Sequence, residues 1–181
     1  RIGKTVARRA AAFHMRVMVL HPHSGNEAGA PDYIEFASLD EILREADFLS
    51  LHSIVTSSTR GMIGKKQLDA MKPTALLVNC SRGEIVNEPD LCAALRSGSI
   101  AGAGLDVFWN EPTHVDDEIL SCPNVIVSPH SAAQTREAVI KMATMCVNGC
   151  LAVCKGKKWP YVADKAVYDH PRWAGADWAE G

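Results

Sequence analysis

Three short apolar runs each stop at polar residues with chemistry to offer. Ala75–Val78 leads into Asn79-Cys80-Ser81 and then Arg82. Leu105 is followed by Asp106, with Glu111 just beyond. Val125–Val127 leads into Ser128-Pro129-His130. An arginine carries a rigid, always-charged fork suited to a carboxylate. A histidine is the side chain whose ordinary pKa lies near neutrality, so it can give or take a proton. In an open α/β sheet the carboxyl ends of the strands are where ligands bind. An arginine, an acid and a histidine could therefore meet at one sheet edge. Each also has a plainer explanation. Arg82 alone reads as a surface or phosphate-loop residue, Pro129-His130 as a capping or packing element, and Glu111 as a solvated acid in an acidic loop.

Placing these residues at one edge requires strands and helices in alternation, and the chain supplies them. Arg1–Phe13 reads as an alanine-rich helix, with Gly3 oddly placed in its first turn, where glycine costs helix stability unless something must come close. Val17–Leu20 is a strand, and His21-Pro22-His23-Ser24-Gly25 the loop at its tip. Ser38-Leu39-Asp40-Glu41 is a capping box that opens a helix to Glu45. Phe48–Leu51 is a strand ending at His52. Thr59–Met71 holds a turn and a helix stopped by Pro73. Asn87 caps a helix to Arg96, and Gly98 ends it. Ile100–Val107 is a strand whose Gly102 and Gly104 suggest close backbone approach. After an irregular acidic stretch comes the strand Val125–Val127, then a long helix, Thr135–Cys154, expected to fray around Gly149. The strands are apolar runs rather than alternating ones, which predicts a parallel sheet covered on both faces.

Composition narrows the function. The 181 residues are 47% apolar and 22% charged with a net charge of -2, a balance that argues against a nucleic-acid surface. No run is expected to be long enough to span a membrane, and the start has no secretory-signal pattern. The six cysteines include no Cys-x-x-Cys pair; Cys146, Cys150 and Cys154 share a helix face and read as small apolar packing residues rather than a metal or redox cluster. Reduced thiols point to a cytoplasmic setting. His21 and His23 lack a third metal ligand, so no metal is expected.

Taken together, these stretches resemble the cofactor-binding half of the D-isomer-specific 2-hydroxyacid dehydrogenases. The resemblance rests on Leu77-Val78-Asn79-Cys80-Ser81-Arg82-Gly83, Ala93-Ala94-Leu95 through Gly98, Gly102-Ala103-Gly104-Leu105-Asp106-Val107-Phe108 with Glu111-Pro112, and Asn124-Val125-Ile126-Val127-Ser128-Pro129-His130. It implies a Rossmann-like, doubly wound parallel sheet in which residues 1–150 bind a nicotinamide dinucleotide. Residues 151–181 would return toward a substrate-binding domain. Gly3 resembles the third glycine of the family's Gly-x-Gly-x-x-Gly loop, which permits close helix–strand packing. The family's first strand and first two glycines would lie before Arg1, and the piece alone is expected to fold poorly.

The resemblance implies an oxidoreductase moving a hydride between NAD(P)H and a 2-oxo acid or D-2-hydroxy acid, of glyoxylate/hydroxypyruvate or phosphoglycerate type. Arg82 would hold the carboxylate, His130 would exchange the proton and Glu111 would orient the imidazole. Arg1, Ile2, Gly3, His21, Pro22, His52, Ser53, Cys80, Ser81, Asp106, His130 and Ala132 would line the cofactor, with Asp106 at the nicotinamide carboxamide. A plainer reading of Asp106 is a turn-capping acid.

Departures from the family pattern matter as well. NAD-preferring members usually carry an Asp at the position of His21, where it binds the ribose 2′-hydroxyl. His21 would not repel a 2′-phosphate, yet no Arg or Lys lies between Val17 and Asp32 to hold one. The cofactor expectation is NAD, with NADP also open. Ser53-Ile54 replaces a more usual apolar-proline pair, and Trp109-Asn110 a more polar pair; the tryptophan is expected to pack under its loop. The alternative is an NAD(H)-sensing, corepressor-like relative. Such proteins carry a Trp soon after the motif histidine, where this chain reads Ser131-Ala132-Ala133-Gln134. Formate dehydrogenases would show Gln at Glu111. A small-molecule substrate and a homodimer formed through the cofactor domain, with Leu91, Trp109 and the loop to Cys122 as interface material, complete the expectation.

Overall fold

The structure is a computed structural model, described here for residues 2–20, 30–122 and 124–173. Arg1, His21 and Pro22, three of the expected cofactor residues, lie outside the described residues. Helix α1 (Ile2–Ala12) leads to strand β1 (Val17–Leu20); then follow β2 (Ile34–Ala37), α2 (Leu39–Glu45), β3 (Phe48–Leu51), α3 (Lys65–Asp69), β4 (Leu76–Asn79), α4 (Glu88–Ser97), β5 (Gly102–Leu105), β6 (Val125–Val127) and α5 (Arg136–Cys154). The chain separates into two compact units, Arg1–Ala132 and Ala133–Gly181, so that α5 belongs to the second. The expected domain boundary at residue 150 lies within this helix.

Local chemistry starts and stops the helices. The Ser38 hydroxyl accepts from the Glu41 amide at 3.3 Å, and the Glu41 carboxylate accepts from the Ser38 amide at 2.9 Å, closing the capping box of α2. Asn87 caps α4 through the Asp90 amide at 3.1 Å, and Gly98 ends it in the left-handed conformation at φ 73°.

All strands pair in parallel. One sheet has the order β3-β4-β5-β6, and β1 pairs with β2 in a second, two-stranded sheet. Strand β2 has no counterpart in the sequence reading. The register of the larger sheet aligns Leu51, Asn79 and Leu105 at one edge, so the turns after β3, β4 and β5 emerge side by side. The core lies on one face, where Leu49, Leu51, Leu77 and Leu105 pack with Leu68, Leu91, Leu95 and Ile119. Burial of these leucines and isoleucines stabilises the unit by about 1.5–3 kcal/mol each. The opposite face differs from the expectation of two covered faces. Phe48 is 55% and Ile126 80% exposed, and a shallow groove runs over Leu76, Val78 and Gly102. Gly102 does mark a close approach, because a Cβ there would come 2.7 Å from the Asn124 carbonyl oxygen; Gly104 has open space around it.

The first unit also buries two thiols, Cys92 and Cys122, and burial pushes the Cys92 thiol up to about 12. All six cysteines are free. In the second unit α5 runs unbroken through Gly149 rather than fraying there. The Trp159 amide donates to the Tyr168 hydroxyl at 2.7 Å, and the Trp159 and Tyr161 rings meet edge to face at 5.4 Å. The sequence expectation about membranes needs one correction: α5, at 19 residues, is long and apolar enough to cross one by length and composition alone. A core helix passes the same test, so length and composition do not by themselves indicate a span.

Candidate active site

The site grows from the tip of β4. Asn79 is an amide with 1% exposure at the end of a buried strand, so its polar atoms must find partners nearby. They find them in the next three residues. Its Oδ1 accepts from the Ser81 amide at 3.1 Å and the Ser81 hydroxyl at 2.9 Å, and its Nδ2 donates to the Arg82 carbonyl at 2.9 Å. This Asx-type turn lifts Cys80 and Arg82 onto the surface. The Arg82 guanidinium donates to the Ser81 carbonyl at 2.6 Å, which leaves most of its fork for a ligand. Gly83 then passes against the next loop: a Cβ there would lie 2.3 Å from the backbone carbon and oxygen of Phe108.

Beyond β5 stands a second buried polar residue. Asp106 is 3% exposed. Its Oδ1 accepts from the Ser128 hydroxyl at 2.6 Å and the Ser131 amide at 2.8 Å, and its Oδ2 from the Ala132 amide at 2.9 Å. Burial pushes this carboxyl upward, but the bonds from Ser128, Ala132 and Ser131 outweigh it and leave Asp106 below the usual carboxylate range. Asp106 therefore ties the turn that follows β6 to the end of β5. These contacts are those of the turn-capping reading.

That turn carries His130, which sits in the left-handed backbone region at φ 50°, rare for a residue with a side chain. The bonds to Asp106 on either side of it hold the conformation. Its Nδ1 meets Glu111 Oε2 at 2.6 Å, while Glu111 Oε1 accepts from the Phe108 amide at 3.0 Å. The bond to His130 is the chief cause that lowers the Glu111 carboxyl from its ordinary value; the Phe108 amide and the nearby Arg82 charge add to it. With Nδ1 occupied, Nε2 is the imidazole nitrogen available to a ligand. Both side chains are partly open to solvent, His130 at 47% and Glu111 at 36%. Arg82, Glu111 and His130 thus come from three successive turns at the carboxyl edge of one parallel sheet.

The other expected residues divide. Ser81 and Ala132 take part in the two turns just described, as hydroxyl and amide donors, and Cys80 is exposed beside them. Gly3 and His52 meet farther along the edge: a Cβ on Gly3 would touch the His52 Cβ at 3.3 Å, and His52 Nε2 lies 3.0 Å from the Ser50 hydroxyl. Ser53, half-buried, follows His52. Sequence reasoning missed Asn79, Ser128 and Ser131 as the residues that build the turns. The Asn-x-Ser spacing at 79–81 is a readable Asx-turn signal, whereas nothing local marks Ser128 as a partner of Asp106. Among the described residues no group of three His, Cys, Asp or Glu side chains converges as a metal site.

These residues fit a dinucleotide. They stand at the carboxyl ends of parallel strands, and Gly3 lets the first turn of α1 come close to His52 at the end of β3, the kind of approach by which a helix N-terminus receives a pyrophosphate.

Comparison with known proteins agrees. The family model described as D-isomer specific 2-hydroxyacid dehydrogenase, NAD binding domain, matches residues 1–132. The chain is 41% identical over 167 residues to a glyoxylate reductase of Korarchaeum cryptofilum (strain OPF8), covering 92% of this chain and 50% of that protein. It is 41% identical over 158 residues to glyoxylate/hydroxypyruvate reductase B of Enterobacter agglomerans, covering 87% of this chain and 49% of that one. The crystal structure of D-lactate dehydrogenase with NAD+ from Lactobacillus jensenii superposes with a TM-score of 0.81 at 35% identity, over 91% of this chain and 53% of its own. The chain thus spans about half the length of the curated relatives it matches. With a Rossmann-like parallel α/β fold and a family match over residues 1–132, it belongs to the D-isomer specific 2-hydroxyacid dehydrogenase family, as an NAD binding domain.

Proposed function

We propose that this chain is the cofactor-binding and proton-transfer half of a reductase that converts small 2-oxo acids, of the glyoxylate/hydroxypyruvate type, to D-2-hydroxy acids. The observation that carries the proposal is the Glu111–His130 pair at 2.6 Å on the turn next to Arg82. Arg82 binds the substrate carboxylate through its planar fork and polarises the adjacent carbonyl. His130 delivers the Nε2 proton to the carbonyl oxygen as C2 is reduced. Glu111, held ionised by His130 and the Phe108 amide, fixes the tautomer and balances the imidazolium. Reduced nicotinamide, when bound, supplies the hydride that no side chain can. Gly3, His52, Ser53, Cys80, Ser81, Asp106 and Ala132 line its groove, with NAD as the preferred form and NADP as the variant that His21 leaves open.

The same reading places the enzyme in the cytosol as a homodimer joined through this domain, acting on a soluble small molecule. The compartment rests on the cysteine spacing, which includes no Cys-x-x-Cys pair. The dimer rests on the family resemblance.

The test follows nicotinamide absorbance with glyoxylate, hydroxypyruvate and pyruvate, using NADH and NADPH separately, in the intact enzyme and a His130→Gln variant. The expected result is turnover that falls by about 10²–10⁴-fold in the variant with cofactor binding retained. Tight cofactor binding without turnover in the unaltered enzyme would favour a cofactor-sensing protein instead.

A further inference from the structure

Glu111 and Arg82 stand on different loops, and the structure shows what keeps those loops in register. The Arg82 turn continues through Gly83 to Val86, and the Glu111 loop begins at Phe108. They touch at two points. Gly83 lies flat on the Phe108 backbone, where no side chain would fit. Three residues on, the Trp109 indole N–H donates to the carbonyl of Val86 at 2.6 Å, and Val86 is only 1% exposed. A carbonyl this well buried needs a donor. Phe108, the neighbour of Trp109, in turn donates its amide to Glu111 Oε1, and Glu111 Oε2 meets His130. The ring is half-buried and turned toward Val86 rather than left in solvent.

We propose that Trp109 is a positioning residue for proton transfer: its indole N–H fastens the Glu111 loop to the Arg82 turn and so sets the alignment of the Glu111–His130 pair. The inference rests on the reductase reading and deepens it by naming the residue that couples the carboxylate-binding loop to the proton-transfer pair. Gly83 supplies contact but no direction; the indole bond supplies direction. Without it the Phe108–Glu111 segment can shift along the Gly83 surface, and the carboxylate loses its fixed approach to the imidazole. The Trp109 indole bonds to the Val86 carbonyl and not to a reacting group, so its effect passes through Glu111.

The experiment uses the intact enzyme and two variants that keep a ring but remove the indole N–H, Trp109→Phe and Trp109→Tyr. The expected result is a drop of about tenfold in kcat, a part of the proton-transfer contribution that a loosened Glu111–His130 pair would lose, with KM for the 2-oxo acid and the affinity for NADH within about twofold. The pH profile should move as well. The charged groups that face Glu111 are His130 and Arg82, and both favour its ionised form. Loosened from His130 and the Phe108 amide, Glu111 returns toward its ordinary value, so the acid limb of kcat/KM moves to higher pH. A second readout needs no turnover: the low-field proton of the His130–Glu111 hydrogen bond, followed by NMR, should weaken or vanish in both variants. Variants with unaltered kcat, acid limb and low-field proton overturn the inference. So does a parallel loss of kcat and NADH affinity with the acid limb unmoved, which is the mark of a merely structural ring. Absence of turnover in the unaltered enzyme would count against the reductase reading alone, because the NMR signal still decides the role of Trp109.

Discussion

The two ends of the candidate cleft are built from different materials. At the β4–β6 end, buried polar residues reach across to neighbouring turns: Asn79 folds the Arg82 turn, and Asp106 holds the His130 turn with three bonds of 2.6–2.9 Å. At the α1–β3 end the contact is one of packing, Gly3 against the His52 ring, with a single bond from His52 to Ser50. Under the proposed function the contrast matches two tasks. Proton transfer needs atoms fixed to a fraction of an ångström, which hydrogen bonds to a buried carboxylate provide. Holding the far part of a long, flexible dinucleotide needs close approach and little else. Each end has its glycine, and the two glycines measure how rigid their surroundings are.

The sharpest contrast comes from Gly83→Ala. The new Cβ would meet backbone atoms of Phe108 at 2.3 Å, and backbone cannot swing aside as a side chain can. The expected loss of stability is at the upper end of the range for overpacking, about 3 kcal/mol, read as a lower midpoint in urea together with loss of reductase activity. A stable and active Gly83→Ala enzyme would mean that the Arg82 and Glu111 loops are not pressed together, and the rigid end would not be rigid.

Asp106→Asn comes next. The asparagine keeps one acceptor but turns an amide toward a backbone N–H, so one of the three donors of the His130 turn loses its partner. The expected cost is about 1–3 kcal/mol, again by denaturation. The pH dependence carries a sign that can be checked. The Asp106 carboxyl is held below its ordinary value in the folded state, so its contribution is complete above the unfolded pKa and is lost as pH falls through the lower folded one. The gap between the unaltered enzyme and Asp106→Asn should therefore be widest near neutrality and close in acid. A gap that does not change with pH would mean that the ionised carboxylate is not what holds the turn.

How much of this was readable beforehand follows from the range of the forces. The capping box at Ser38–Glu41 and the Asn87 cap with Gly98 are contacts within four residues, and sequence spacing reports them directly. Arg82, Glu111 and His130 were legible as polar residues following apolar strands, and the structure brings Glu111 onto His130. The partners of Asp106 were not legible, because its bonds span 22 to 26 positions and two of the three donors are backbone amides, which any residue carries. Strand β2 escaped because Glu35 interrupts its apolar run; that glutamate faces Arg16, whose Nε donates to it at 2.7 Å, so the strand needs no continuous apolar pattern. The expectation of two covered faces came from apolar residues at consecutive strand positions. Leu76 and Val78 are such residues, and within the first unit they border the open groove. Apolar pattern states what can be buried, not what covers it.

The mildest effect belongs to Gly3→Ala, and it tests the soft end of the cleft. The added Cβ would meet the His52 Cβ at 3.3 Å, a tight contact that a few tenths of an ångström relieve. Alanine is also the better helix former in the first turn of α1, by up to about 1 kcal/mol. The two effects oppose each other, so stability should change by less than about 1 kcal/mol. What should respond is cofactor affinity, because the methyl group moves α1 away from β3 where the helix N-terminus approaches the crevice. The expected result is NADH binding weakened by a few fold with kcat nearly unchanged at saturating cofactor, measured by fluorescence titration beside steady-state kinetics. A Gly3→Ala enzyme as unstable as Gly83→Ala would show that the α1–β3 contact is as unyielding as the loop contact, and the division of labour along the cleft would fail. A loss in kcat with unchanged cofactor affinity would place Gly3 in the service of the Glu111–His130 pair, at the wrong end of the crevice for the proposed arrangement.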